Sequence, residues 1–406
     1  MPFPEAAEPE NEGARNRLVF PLASFLNDFA WEVPTLLLPL FIVNVLGASA
    51  LAVGVVEGAG DATATIAKLF SGILADRTGK RKAITATGYA AAGLTRPLLF
   101  FVTAWPGALA IRFTERLGKG IRGSARDALL ADSTPVGESG RAFGLLRAGD
   151  TLGAFGSMIF GLVVIRLMQG DAHLLSGSTF RTMVAVATIP GLLALLTIVV
   201  LVKDVPTRRH VGLDLTAHEG LPRVFFYYTA ISAVFTLGNS SDAFIILRGQ
   251  SLGGSVFTVV ALFAGFNLIY GLASSPFGRL SDRFGKRPLI VIGWLIYAGT
   301  YLGFARATGL VAVGLLLIPY GLYYALTEGV GRALIADVAP SGSRGAAFGI
   351  FGGANGAAAL LASVGAGALY ARFGPPTPFY IGAGLAGVAA VLLVLMPISE
   401  SRNRGA

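Results

Sequence analysis

Two stretches of this chain carry the same frame. Gly72 to Lys82 runs GILADRTGKRK and Gly278 to Pro288 runs GRLSDRFGKRP, each closing a long apolar segment with G-x-L-x-D-R-x-G-K-R. The two Asp-Arg pairs, at 76 and 282, are separated by about half of the 406 residues. The echo goes further. Arg126-Asp-Ala-Leu-Leu-Ala-Asp132, followed by Gly140-Arg-Ala-Phe-Gly144, returns as Arg332-Ala-Leu-Ile-Ala-Asp337, followed by Gly345-Ala-Ala-Phe-Gly349. Landmarks that recur in order at one spacing mark a duplicated fold unit, so the chain is expected to consist of two related halves.

The apolar content says where such a fold can live. With 54% hydrophobic residues, 14% charged residues and a mean hydropathy of +0.68, the chain is too apolar for a water-soluble fold of its size. Crossing the hydrocarbon of a bilayer takes ~20 apolar residues as a helix. Twelve runs meet that need, at about 18–46, 50–74, 84–104, 106–131, 142–168, 180–202, 222–247, 255–277, 288–307, 309–337, 346–371 and 377–398. The expectation is therefore an all-α membrane protein with 12 transmembrane helices in two pseudo-symmetric six-helix bundles. The division runs as a tail at 1–17, a first bundle at 18–202, a linker at 203–221, a second bundle at 222–398 and a tail at 399–406. The leader MPFPEAAEPENEGARNR is acidic and proline-bearing, unlike a cleaved signal, and is expected to stay attached.

Charge sets the expected orientation. Lys and Arg concentrate at one set of segment ends, including Arg15, Arg17, the Arg77 to Lys82 cluster, Lys203, Arg283, Lys286 and Arg287. The other ends hold only Arg166, Arg181, Arg248, Arg306 and Arg372. The positive-inside rule then makes both termini and both motif copies cytoplasmic, in a plasma membrane that is expected to be a bacterial inner membrane. The net charge of +9 resides in these short clusters rather than in an interleaved patch, so positive loops explain it better than nucleic-acid binding. With no cysteines there is no thiolate chemistry, and His210 and His218, without acidic partners in metal spacing, read as solvated linker residues. No metal or cofactor is expected.

The frame Gly72-x-Leu74-x-Asp76-Arg77-x-Gly79-Lys80-Arg81, between the second and third of twelve segments, resembles the loop signature of the major facilitator superfamily. The copy at Gly278, Asp282, Arg283, Gly285, Lys286 and Arg287 is similar to the degenerate repeat that family often keeps. The resemblance spans essentially the whole chain. It implies two six-helix bundles rocking about a central cavity, a small-molecule substrate and, in the bacterial multidrug and proton-coupled branch, protons as the second partner. Parallel repeats of this kind place the substrate between the halves near the midplane.

The motif also has a reading of its own. Gly79 allows a tight turn, and Lys80, Arg81 and Lys82 hold it at an anionic membrane face. Asp76 is expected to meet the amino-terminal end of the eleventh segment near 343–346, and Asp282 the fifth near Gly140, each carboxylate complementing a helix dipole and latching one face shut. The plainer alternative is a basic loop that only sets topology.

Ionisable groups inside the spans cost about 2.5–3.5 kcal/mol each at a helix centre, so they must face protein or water. Asp28 and Glu32 lie one turn apart on the first segment, and Arg112 and Arg116 one turn apart on the fourth, with Glu115 and Lys119 between and beyond. Helix-one carboxylates paired with helix-four arginines are the expected arrangement, as a coupling site or as a static buried ion pair. The run Arg116-Leu-Gly-Lys119-Gly120-x-Arg122 resembles the helix-four motif of proton-coupled facilitators, with Lys119 where glutamine is usual. Glu57, Asp61, Thr65 and Lys68 form a stripe on the second segment, either glue between helices or part of a pathway. Arg96 and Asp150 are further candidates; Asp150 sits in the close-packing run Gly149-Asp-x-x-Gly153-x-x-Gly156. The second half offers Asn239, Asp242, Arg248, Asn267, Tyr270, Tyr320, Tyr323, Tyr324, Glu328 and Arg332, with Glu328 and Arg332 one turn apart and expected to pair.

No P-loop, zincin spacing or nucleophile elbow is present, so an enzyme is not expected. A channel or a sensor fits the twofold repeat and midplane carboxylates less well than a carrier. The expected function is secondary transport by a monomer in contact with membrane lipid, as proton-coupled efflux (antiport) of an amphipathic or drug-like compound, with proton symport of a small organic solute as the alternative.

Overall fold

The computed structural model describes residues 7–135, 138–205, 221–339 and 344–396. Among them are thirteen α-helices and no strand. They are α1 (Ala7–Leu40, extended by a π-turn Phe41–Val45), α2 (Ala50–Thr78), α3 (Arg81–Thr95, extended by a 3-10 turn Arg96–Phe101), α4 (Trp105–Asp132), α5 (Ser139–Met168) and α6 (Gly177–Leu196, extended by a π-turn Thr197–Leu201). The second half holds α7 (Arg223–Gly238), α8 (Ala243–Ser251), α9 (Val256–Phe284), α10 (Lys286–Arg306), α11 (Leu310–Val338), α12 (Arg344–Phe373) and α13 (Thr377–Leu395). α7 and α8 fall in one span, Arg223–Ser251, so the helices make the twelve segments read from the sequence. Among the described residues, ten spans are long and apolar enough to cross a membrane by length and composition. The remaining two segments are α3 with its 3-10 turn and α4, whose row of charges lowers its apolarity. α1 begins well before residue 18, because the acidic leader from Ala7 onward is already helical. Of the linker expected at 203–221, residues 206–220, with both histidines, lie outside the described residues.

The chain forms two compact units. Unit 1 comprises Met1–Ala48, Ala59–Gly212 and Ser255–Val260, and unit 2 comprises Ser49–Gly58, Leu213–Gly254 and Ala261–Ala406. In unit 1, α1 lies on α5 along the glycine run noted in the sequence. A Cβ built on Gly149 would come within 2.4 Å of the Pro21 carbonyl oxygen, and one on Gly153 within 2.4 Å of that of Phe25. Small residues let backbones approach this closely, which matters in lipid because packing rather than water drives helix association there. α3 and α4 meet at Gly88 and Gly118 in the same way. Phe20, Leu129, Leu130 and Ile198, all fully buried, fill the space among α1, α4 and the turn after α6. Asn16 ties three elements: its amide donates to the Lys203 carbonyl at 2.8 Å and to Ser133 Oγ at 2.9 Å, and its carbonyl accepts from the Lys203 N–H at 3.1 Å.

Each motif copy turns on a glycine in the left-handed region, Gly79 at φ +66° and Gly285 at φ +86°, as a tight turn requires. The basic residues just after each glycine bond within their own unit. Arg81, the first residue of α3, is buried and ion-paired with Asp132, the last residue of α4. Lys286, the first residue of α10, is ion-paired with Asp337 near the end of α11. The two landmarks recognised as repeats are thus bonded to each other in both halves. Arg287 adds two bonds to the carbonyls of Leu393 and Val394 at the end of α13, at 2.9 and 2.6 Å. The side chains of Asp76, Arg77 and Asp282, and residues 341–343 entirely, lie outside the described residues, and with them the expected docking of the two motif aspartates.

In unit 2, α10 packs on α11 and α13, and α7 on α12 and α13. Arg248 in α8, read from the sequence as a polar candidate, is an end cap. Its guanidinium donates to the carbonyls of Phe304, Ala305 and Ala307 at 3.1, 3.3 and 2.8 Å, satisfying the last turn of α10. Arg248→Met is expected to cost about 2–3 kcal/mol by stranding those carbonyls, with Arg248→Lys recovering part of it. Thermal unfolding in detergent measures both.

Candidate functional site

The charged face of α4 organises unit 1. Arg112, Glu115, Arg116, Lys119 and Arg122 follow one another at steps of three, one, three and three residues and share a stripe on the helix. Glu115 is its centre. Only 3% exposed, it accepts from Arg96 Nη2 at 2.5 Å on one oxygen and from Arg112 Nη1 at 2.8 Å on the other. A carboxylate shared by two guanidiniums offsets the cost of burying all three groups far better than a lone charge would. Arg96 opens the 3-10 turn after α3, with its guanidinium 5.3 Å from the Trp31 ring centroid of α1. It also donates to Asn27 Oδ1 at 3.3 Å, which takes a second bond from Arg122 at 2.9 Å. The Asn27 amide in turn donates to Asp28 Oδ1 at 2.7 Å. Arg122 lies over the Tyr89 ring at 4.5 Å.

Arg116 pairs with Asp61 of α2 at 3.3 Å. Gly60 leaves room for this side chain to pass, since a Cβ there would stand 3.0 Å from Arg116 Cγ. The expected pairing of helix-one carboxylates with helix-four arginines is replaced by these contacts: Arg112 is held by Glu115 and Arg116 by Asp61. The reason is reach, because Glu115 shares a face with Arg112 one turn away and needs no second helix. Asp28 joins the network through Asn27. Glu32 is half-buried and makes no hydrogen bond or ion pair among the described residues, while the charges of Asp28, Lys119, Arg116 and Arg96 act on it. Lys119 is exposed. Asp150, on α5, is within electrostatic range of Asp28 and Arg126. Glu57 falls in unit 2 and is buried.

Unit 2 carries a second cluster around a break in a span. Gly238 ends α7 and Ala243 begins α8, and the residues between are not helical. Asp242 receives Tyr320 Oη at 2.6 Å and Tyr324 Oη at 3.3 Å. Glu328, expected to pair with Arg332, accepts a bond from Tyr270 Oη, and the side chain of Arg332 lies outside the described residues. Asn239 donates to Tyr323 Oη at 3.0 Å. Asn267 is spent on its own helix, donating to the Phe263 carbonyl at 3.1 Å. Asn355 of α12, unnoticed in the sequence, accepts from Ser232 and Thr236 of α7 at 3.0 and 2.7 Å. No group of metal-ligating side chains occurs among the described residues.

Paired charges buried among the helices of a chain that is otherwise a series of apolar spans, and whose two halves repeat one plan, define a helical membrane carrier. The chain belongs to the Major Facilitator Superfamily, whose family model matches residues 22–241 and 224–406. It is 32% identical over 396 residues to an uncharacterized MFS-type transporter of Methanocaldococcus jannaschii, covering 96% of both chains. Multidrug resistance protein 2 of Bacillus subtilis is 29% identical over 177 residues, 43% of this chain and 42% of that protein. Among solved structures, a D-xylose-proton symporter superposes with a TM-score of 0.74 at 20% identity, covering 97% of this chain and 99% of that one. The protein is thus a multi-pass membrane transporter with twelve helices in two bundles, of a superfamily that binds small-molecule substrates.

Proposed function

We propose that this transporter couples proton entry to the efflux of an amphipathic, drug-like compound by alternating access. The observation that carries the reading is Glu32. Around it the ionisable groups are already committed, Glu115 to Arg96 and Arg112, and Asp61 to Arg116, while Glu32 has no bond of its own among the described residues. Such a carboxylate gains or loses a proton without dismantling the buried network. When ionised it competes with Asp61 for Arg116 and attracts Lys119; when protonated it releases them. Proton occupancy and the arrangement of α1, α2 and α4 are then linked, and linkage is what coupling requires. Asp28 is the second carboxylate of this switch, and Asp150 extends it to α5. The bodies that rock are the halves at 18–202 and 222–398, with both termini cytoplasmic in a bacterial inner membrane on the Lys/Arg bias. Similarity to a multidrug resistance protein of Bacillus subtilis supports export.

The test uses proteoliposomes containing a trapped pH dye and a panel of amphipathic compounds. Proton movement that depends on one of those compounds, and uphill movement of that compound under an imposed gradient, are expected. Glu32→Gln is expected to abolish uphill movement while leaving exchange of the compound at equilibrium. A Glu32→Gln protein that still concentrates its cargo overturns the assignment, and co-directional flow of cargo and proton replaces efflux with symport.

A further inference from the structure

A membrane span interrupted in its middle leaves backbone groups that lipid cannot satisfy, so such breaks occur only where protein or a polar cavity surrounds them. In the span Arg223–Ser251 the protein meets part of that need itself: Tyr297 Oη donates to the Gly238 carbonyl at 3.0 Å and Tyr301 Oη to that of Ser240 at 3.5 Å. Both donors are fully buried. The hydroxyl of Ser240 is different. It is 7% exposed and has no hydrogen-bond partner among the described residues.

Beside it stands Asp242, half-buried and oriented by two tyrosine hydroxyls. The ring of Tyr324, one of those two, meets the ring of Tyr270 edge-on, with centroids 5.7 Å apart and planes at 62°, and Phe266 backs both at 5.6 and 6.4 Å. Tyr270 bonds Glu328. Two carboxylates thus flank half-buried aromatic faces. Aromatic faces and a carboxylate together attract a poorly hydrated cation. An alkali metal ion would instead call on backbone carbonyls, and the Gly238 and Ser240 carbonyls already accept tyrosine protons.

We propose that the α7–α8 break is a subsite for a hydrophobic organic cation, with Asp242 as its counter-charge and the rings of Tyr324 and Tyr270 as its walls. The inference rests on the transport reading only in taking the cargo to be amphipathic, and it narrows that cargo to compounds carrying a positive charge.

The experiment measures equilibrium binding of tetraphenylphosphonium to the purified full-length protein in detergent, with tetraphenylborate as a probe of the same shape and opposite charge. Saturable binding of the cation and none of the anion are expected. Asp242→Asn is expected to weaken cation binding about tenfold or more, and Tyr324→Leu about tenfold, whereas Tyr324→Phe, which keeps the ring, stays within about threefold of the unaltered protein. Should Asp242→Asn fail to fold, the Tyr324 pair decides. No saturable cation binding, equal binding of the anion, or unchanged affinity in Tyr324→Leu overturns the subsite. No proton gradient is present in this assay. Cation binding without proton-coupled movement would overturn the coupling reading alone, and proton-coupled efflux of a neutral compound without cation binding would overturn the subsite alone.

Discussion

Glu115→Gln is expected to destabilise the protein by about 3–5 kcal/mol, the loss seen when one member of a buried charge cluster is removed and the others stay behind. Arg96 and Arg112, 6% and 5% exposed, would lose the carboxylate that both bond, and an amide offers one acceptor in place of two charged ones. The unfolding temperature in detergent should fall steeply, with loss of the monodisperse species on size exclusion. Replacing all three groups with leucine is expected to restore most of the stability while abolishing transport, because an apolar cluster of similar volume carries no desolvation penalty. A Glu115→Gln protein that unfolds at the temperature of the unaltered one would show that the guanidiniums are neutralised elsewhere.

The second large effect belongs to Gly118. A Cβ on Gly118 would stand 2.6 Å from the Gly88 carbonyl oxygen, and one on Gly88 would stand 2.6 Å from that of Gly118. The obstacle on each side is backbone, which cannot rotate away as a side chain can. Gly118→Ala is therefore expected to cost about 1–3 kcal/mol and Gly118→Val more, by forcing α3 and α4 apart. Gly123, on the same helix, has nothing within 4 Å of a built Cβ. There alanine should stabilise by about 0.5–1 kcal/mol, since a helical glycine carries excess entropy in the unfolded chain. Opposite signs for the same substitution at two positions little more than a turn apart test the packing rather than glycine content, and equal signs would refute it.

The fold was largely legible because its signals are local or periodic. Apolar run length marked the spans, and duplication revealed the halves. The candidate site was legible in part. Helical spacing placed Asp28 with Glu32 and Arg112 with Arg116, but a face is not a partner: which of several carboxylates an arginine reaches depends on how close the helices come, and that is set by glycines such as Gly60 and Gly88. Glu115 was visible in the sequence, yet its place between Arg96 and Arg112 depends on the position of the turn after α3, some twenty residues away. The break between α7 and α8 did leave a trace, the turn-forming run Gly238-Asn-Ser-Ser-Asp242 inside an apolar segment. Apolar neighbours on both sides masked it. Asn355 left none, since one amide among glycines and alanines looks the same whether it accepts two hydroxyls or faces lipid.

The ion pairs at the two glycine turns act at a distance. α3 and α4 are antiparallel and joined at one end by residues 102–104, so Arg81 and Asp132 sit at the open end of a helical hairpin and close it. The rise per residue puts that closure about 22 Å along α3 from Arg96. Sliding α4 by a single turn, about 5.4 Å, would carry Glu115 out of bonding range of Arg96, and the closure is what forbids the slide. Lys286 and Asp337 do the same for α10 against α11, aligning Tyr297 and Tyr301 with Tyr320 and Tyr323. The duplicated turn is thus an alignment pin, and each half uses its own copy to hold the vernier between two helices at the one setting where its buried polar groups meet.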